Sequence, residues 1–286
     1  MLNKSYVGKK MLVVVAHPDD ETFGMGGTLA LYSRLGVEIH LICATRGEVG
    51  EIDPEKMEGF NSIGELREHE LRCAADILKL RKVHFLNYRD SGMAGSEENK
   101  HPNAFINAPI GDVAKQIVIH IREIKPEVVL TFDSIGGYMH PDHIAAHKAT
   151  VVAFELAGDI SYKTKKLDPF KPSKLYFHTF PRRFLKLIVG FMPLFGKNPK
   201  QFGKNKDINL SAVTLVDFPI HAKINYRQCA VQRDQASACH ASQGGDRKSG
   251  YIVTWIMRMF SSAETYMRGY PKFTGRKIET DLFEGL

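Results

Sequence analysis

The sequence predicts an α/β fold: a doubly wound, mostly parallel, Rossmann-like sheet with helices on both faces and a C-terminal extension. Two observations carry this. Apolar runs of strand length alternate with helix-length periodic stretches through the first 160 or so residues, the pattern of right-handed βαβ units. Each of the first four strands is followed by a turn rich in polar residues or Gly, at the edge where open α/β sheets bind ligands.

Taken in order, "MLVVVA" (11–16) is a continuous apolar run and reads as a strand buried on both faces, followed by a helix over "GGTLALYSRLG" (26–36). The strand "EIHLICA" (38–44) leads to the helix "IGELREHELRCAADILKL" (63–80), and "VHFLNY" (83–88) leads to "IGDVAKQIVIHIREIK" (110–125). "EVVLTF" (127–132) precedes the helix "DHIAAHKATVVAFELAG" (142–158), for which Pro141 suits the first helical position, and "KLYFHTF" (174–180) is a fifth strand. Beyond it, 211–218 reads as a strand, whereas 221–243 and 251–269 read as helices; 181–207 is basic, broken by Pro and Gly, and fits no single element.

At 286 residues and 43% hydrophobic, the chain can bury a sizeable core. The basic N-terminus runs into an apolar stretch too short for a signal peptide. The longest greasy segment, "LIVGFMPLF", falls well short of the ~20 residues of a membrane span. A cytoplasmic protein is expected, with Cys43, Cys73, Cys229 and Cys239 reduced rather than bridged. The net charge of +7 is uneven: residues 163–206 hold twelve Lys or Arg against one acid, a net of +11, which leaves −4 for the rest. No nucleic-acid recognition motif accompanies that basic stretch.

The chemistry gathers at two turns. In "AHPDDE", His17 and Asp20 are ligand types suited to a divalent metal, with Asp19 between them free to face the same cavity. In "GYMHPDHIAAH" (137–147), His143 and His147 lie one helical turn apart, while Tyr138 and His140 stay on the loop before them. Two His-Pro-Asp triplets, each directly after a strand, supply two histidines and a carboxylate with open positions for water and substrate; the second histidine ligand is left open between His143 and His147. Such a site activates water for attack on a carbonyl. Asp19 is the natural base, and His140 faces the developing oxyanion and leaving nitrogen. Glu21 is a base, a helix cap or a partner of a ligand.

Together "AHPDDE", "TRGEVG", "LREHELRCAA", "DSGM" and "GGYMHPDH" resemble the PIG-L/LmbE-like family of zinc-dependent N-deacetylases, over about 11–158, with "CHASQ" (239–243) echoing a later feature. The resemblance implies that His17, Asp20 and His143 bind one Zn²⁺, with Fe²⁺ as another candidate, and that Asp19 is the general base. It implies His140 as general acid or oxyanion stabiliser, oriented by Asp142 and assisted by Tyr138, and Arg67 and Asp90 as sugar contacts. The implied activity removes an N-acetyl or related acyl group from an N-acetylglucosamine-type glycoside or conjugate, or cleaves an amide in a thiol-sugar conjugate. On this reading residues 1–160 form a Rossmann-like metal-binding catalytic core, and 161–286 a basic insertion and C-terminal α/β extension completing the same domain.

Two readings compete. A mononuclear Fe(II) oxygenase shares the two-histidine, one-carboxylate set, but would be expected to bring a β-barrel pattern that this chain lacks. A non-catalytic protein could instead use the basic 163–206 segment, in which "RRFLKLIVGFMPLFGK" suits peripheral contact of 181–207 with an anionic membrane, or a lid over the site. The expected partner is a small amino-sugar substrate rather than nucleic acid, and a homo-oligomer is left open.

Overall fold

The computed structural model describes residues 4–164, 166–201, 208–245 and 262–286. Seven strands form one sheet: β1 (Lys10–Val15), β2 (Glu38–Cys43), β3 (Lys82–Phe85), β4 (Val128–Phe132), β5 (Lys174–Thr179), β6 (Ala222–Asn225) and β7 (Ala263–Tyr270). Their order across the sheet is β3-β2-β1-β4-β5-β7-β6. From Met11 to Val15 every residue of β1 is buried, the pattern of a strand covered on both faces.

Strands β3, β2, β1, β4 and β5 are parallel. β7 runs antiparallel to β5, and β6 antiparallel to β7. The sheet is therefore mixed, and the mostly parallel expectation describes only its first five strands. Chain order reverses between β1 and β4: from β1 the chain builds outward to β3, then returns to β4 and continues the other way. Where it reverses, the loops after neighbouring strands splay apart and leave a crevice.

The helices are α1 (Asp20–Arg34), α2 (Ile63–Leu78), α3 (Ile110–Ile124), the turn α4 (Gly136–Met139), α5 (Pro141–Gly158), α6 (Arg182–Phe191), the turn α7 (Leu210–Val213) and α8 (Ala230–Cys239). α1 and α2 pack with α8, and α3 packs with α5. The right-handed crossover rule puts α1 and α2 on one face of the parallel strands and α3 and α5 on the other, and α8 joins the first pair by packing. α1 begins at Asp20 rather than near Gly26, because Asp20 and Glu21 suit the positive end of a helix. α2 begins with reciprocal capping: Ser62 Oγ accepts the Glu65 N–H at 3.1 Å, and Glu65 Oε2 accepts the Asn61 N–H at 2.9 Å.

The C-terminal third departs most from the sequence expectations. Residues 211–218 do not form a strand: the Asn209 side chain accepts the Ala212 N–H at 3.1 Å and starts the helical turn α7. The helix expected over 221–243 is the strand β6 followed, after a short turn, by α8. The helix expected over 251–269 ends as β7, and its 251–261 portion lies outside the described residues. Pairing with β5 decides β7, and Glu264 fastens it to α1 by accepting the Gly27 and Thr28 N–H groups at 2.9 and 2.8 Å.

Candidate metal and catalytic site

His17 lies two residues beyond the end of β1, and His140 and His143 lie beyond β4, so the two His-Pro-Asp turns meet at the point where strand order reverses. His17 Nδ1 is 3.3 Å from His143 Nε2. Asp20 Oδ1 is 3.1 Å from His143 Nε2, and Asp20 Oδ2 is 3.6 Å from His17 Nδ1. With metal bonds of about 2.0–2.2 Å, ligand atoms on one tetrahedral ion stand roughly 3.3–3.5 Å apart, close to the spacing of this donor set, and nitrogens of His17, His140 and His143 also lie within 4.8 Å of one another. His147 stands apart from it, with Nδ1 2.8 Å from the Phe132 carbonyl.

Each donor is aimed by the local fold. The Asp20 carboxylate accepts the His17 backbone N–H at 2.8 Å through Oδ2, leaving Oδ1 towards His143. The ring of His143 stacks on Phe132, centroids 4.0 Å apart. Gly136, at φ +63°, lets the loop pass close over α5, since a Cβ there would stand 2.7 Å from His143 Cβ.

The far nitrogen of His17 faces two further carboxylates, Asp142 Oδ2 at 3.1 Å and Asp90 Oδ1 at 3.4 Å. A carboxylate behind a histidine fixes its tautomer and makes the near nitrogen a better ligand. Three buried carboxylates therefore surround one imidazole. Burial by itself would lower the His17 pKa, but Asp90, Asp142 and Asp20 together raise it well above the usual histidine value. Asp20 is held well below its usual range: burial opposes ionisation, and His143 and His17 outweigh it. Such a pocket calls for a cation.

Asp142 departs from its expected role. Its carboxylate reaches His17 and accepts the Ser91 N–H at 3.0 Å, and it is the Asp142 backbone N–H that bonds His140, donating to Nδ1 at 3.2 Å. As an expected result, Asp142→Asn weakens metal affinity about 10–100-fold, because an amide is a poorer acceptor behind His17. Titration with a competing chelator measures it; unchanged affinity would remove Asp142 from the support of the metal.

Asp19 sits at the first turn of α1 with φ 117° and ψ −29°, a left-handed conformation uncommon for a residue with a Cβ. Two contacts hold it there. Its N–H donates to Glu21 Oε2 at 3.0 Å, and its Oδ2 accepts from Arg67 Nη2 at 3.0 Å. Burial pushes its pKa up to about 6, against the pull of Arg67 and with a push from Asp20. Gly47, at φ +66°, makes room for Arg67: a Cβ there would lie 2.0 Å from the guanidinium.

Arg67 and Asp90, expected as sugar contacts, both find first partners inside the site. Arg67 also donates to the Gly47 and Pro18 carbonyls at 3.0 and 2.6 Å, and Asp90 accepts the Gly92 N–H at 2.8 Å. His140 and Tyr138 complete the wall. The His140 ring centroid lies 4.6 Å from that of His17, and Tyr138 lies 5.1 Å from His143. Burial, with His17 and His143 beside it, lowers the His140 pKa to about 2, and burial raises that of the Tyr138 phenol.

Sequence reasoning missed a buried brace behind Asp19. His240 Nε2 is 2.7 Å from Glu21 Oε1, and both side chains are fully buried. Next to His240, Cys239 forms a disulfide with Cys73, which corrects the expectation of four reduced thiols; Cys43 and Cys229 are free and buried. A separation of 166 residues hides that pair from any spacing argument, and the packing of α8 on α2 creates it. The "CHASQ" segment was the available signal, and it names neither partner. A cleft of about 610 Å³, lined by Tyr88, Arg89, His101 and Asp112 among others, opens beside this rim. Glu48 lines it too, and accepts the Asp90 N–H at 3.2 Å.

A family model described as GlcNAc-PI de-N-acetylase, PIG-L, matches residues 12–154, which span both metal turns. The chain belongs to the PIG-L family. It is 32% identical, over 99% of its own length and 91% of the relative's, to the 1D-myo-inositol 2-acetamido-2-deoxy-alpha-D-glucopyranoside deacetylase of Streptomyces scabiei. Among solved structures it is similar to the N,N'-diacetylchitobiose deacetylase of Pyrococcus horikoshii, with TM-score 0.62 and 20% identity over 91% of this chain and 83% of that one. It is also similar to the 4-carboxy-2-hydroxymuconate hydratase of Pseudomonas putida, with TM-score 0.59 and 20% identity over 94% and 99%. At 20% identity these structural likenesses establish the fold alone.

Proposed function

We propose that this PIG-L protein is a zinc-dependent deacetylase that removes the acetyl group from an N-acetylglucosamine-type glycoside or conjugate. The observation that carries the reading is the convergence of His17, Asp20 and His143 within 3.1–3.6 Å, with Asp19 adjoining them at the same turn. The named relative acts on an acetamido sugar linked to inositol, which points to the same substrate class here. His17, Asp20 and His143 would hold the zinc, which would supply a Lewis acid for the acyl carbonyl and lower the pKa of water towards about 7.

The chain's own residues do the rest. Asp19 takes the proton from the attacking water: it is a carboxylate beside the donor set and outside it, held by Arg67, the placement a general base needs. Arg67 steers that carboxylate, while Glu21 and His240 hold its backbone. Because His140 Nδ1 accepts from the Asp142 N–H, its ring proton belongs on Nε2, where it can donate to the oxyanion. This favours oxyanion stabilisation over proton donation as the first role of His140. The Tyr138 phenol assists on the same side. Asp142 and Asp90 fix the ring of His17.

Release of free amine from a panel of N-acetylglucosaminides and thiol-sugar conjugates, with metal-loaded protein, tests the reading and separates deacetylase from conjugate amidase. Turnover of an N-acetylglucosaminide is expected. Absence of amine release across the panel, with hydration of an unsaturated acid in its place, would assign the site to the hydratase chemistry that this fold also carries.

A further inference from the structure

Within the basic 163–206 segment, the described residues expose an apolar face. Of the fifteen large hydrophobic side chains exposed among the described residues, six fall within 180–195: Phe180, Leu187, Ile188, Phe191, Leu194 and Phe195. Five of these follow helical spacing, at 187, 188, 191, 194 and 195, along α6 and the turn after it, and are 41–77% exposed. Scattered exposed apolars need no explanation, but a contiguous stripe on one element does. Basic side chains flank the stripe: Lys197 and Lys200, just beyond the turn, are exposed, Lys186 on α6 is exposed and paired with Asp217, and Asp168 is the only acid between 163 and 206.

From this combination we infer that α6 and the turn after it dock the protein onto an anionic lipid surface, the apolar stripe entering the headgroup boundary and the lysines meeting lipid phosphates. A protein partner would need to match an apolar stripe and to supply a strongly acidic rim; an anionic bilayer offers both over any area. No helix among the described residues is long and apolar enough to cross a membrane, so the contact is peripheral. The docking face is anchored to the fold at one end. Arg182 is buried and donates to Asp133 Oδ2 at 3.3 Å and to the Gly137 carbonyl at 3.5 Å, in the loop that carries Tyr138 and His140. A docked molecule therefore holds its site close to the lipid surface.

The test is co-sedimentation of the full chain with vesicles of equimolar phosphatidylglycerol and phosphatidylcholine, against phosphatidylcholine alone. The protein is expected to bind the anionic vesicles, to bind neutral ones at least about tenfold more weakly, and to be largely released at about 1 M salt, where the screening length falls to about 3 Å. A Leu187→Asp/Phe191→Asp double variant is expected to lose binding at least about tenfold. Both substituted positions are exposed, so its melting temperature and its turnover of a water-soluble substrate should match the parent's. A Lys197→Glu/Lys200→Glu variant is expected to weaken binding to anionic vesicles alone. Equal pelleting of parent and double variant, or no pelleting of the parent, overturns the inference. So does a parent that self-associates through this stripe in solution, loses that association in the double variant, and ignores vesicles. These readouts do not depend on what the metal site does, so failure here leaves the deacetylase reading untouched.

Discussion

Asp19→Ala is expected to keep one equivalent of metal and to lose about 10²–10⁴-fold in kcat, the usual worth of a positioned general base. The side chain stands next to the donor set without belonging to it: its Oδ2 accepts from Arg67, whereas Asp20, one residue on, faces His143. Removing it should leave His17, Asp20 and His143 in place. The sign of the pH dependence follows from the same group. A base works deprotonated, so activity should rise with pH through the Asp19 pKa, about 6 for the isolated protein and lower once a cation binds beside it. In Asp19→Ala that limb should vanish. Metal analysis beside a pH–rate profile makes the measurement, and a variant with parental turnover would sink the assignment of Asp19.

His17→Ala is expected to lose both metal and turnover. His17 contributes the Nδ1 donor, and it is also the group around which Asp20, Asp90 and Asp142 are arranged. Without it Asp90 and Asp142 are left buried with no imidazole between them, and Asp20 keeps only His143, a penalty of several kcal/mol by analogy with broken buried ion pairs. Turnover should fall at least about a thousandfold, since metal polarisation contributes several kcal/mol to the barrier. A lowered melting temperature should accompany the loss. Metal content equal to the parent's would show that His17 is no ligand.

The contrast between these variants separates two kinds of residue that the sequence places three positions or fewer apart. It also shows where reading the sequence worked. The run before "AHPDDE" is apolar without interruption, so a central strand could be assigned, and a turn after such a strand must open at the ligand edge of the sheet. "HPDH" after "EVVLTF" repeats the arrangement, and the topology then forces the two turns together because β1 and β4 are neighbours. Strand period, helix period and Pro at the first position of α5 are local properties, and local properties survive in a linear text.

What escaped depends on contacts between distant segments. β7 has a composition that also suits a helix, and only its pairing with β5 and β6 makes it a strand. The Cys73–Cys239 disulfide and the Glu21–His240 brace each require α8 to lie beside the first two helices. Asp142 lies two residues from His140 in the chain, yet its carboxylate turns to His17 because the first turn of α5 points inward beneath that ring. The chain's own text was thus sufficient for the parallel half of the sheet and for placing the two His-Pro-Asp turns at its ligand edge, both of which follow from short-range pattern. Which carboxylate supports which imidazole, and what holds Asp19 in a left-handed turn, were settled by packing, because hydrogen bonds in a buried pocket go to the nearest group in space.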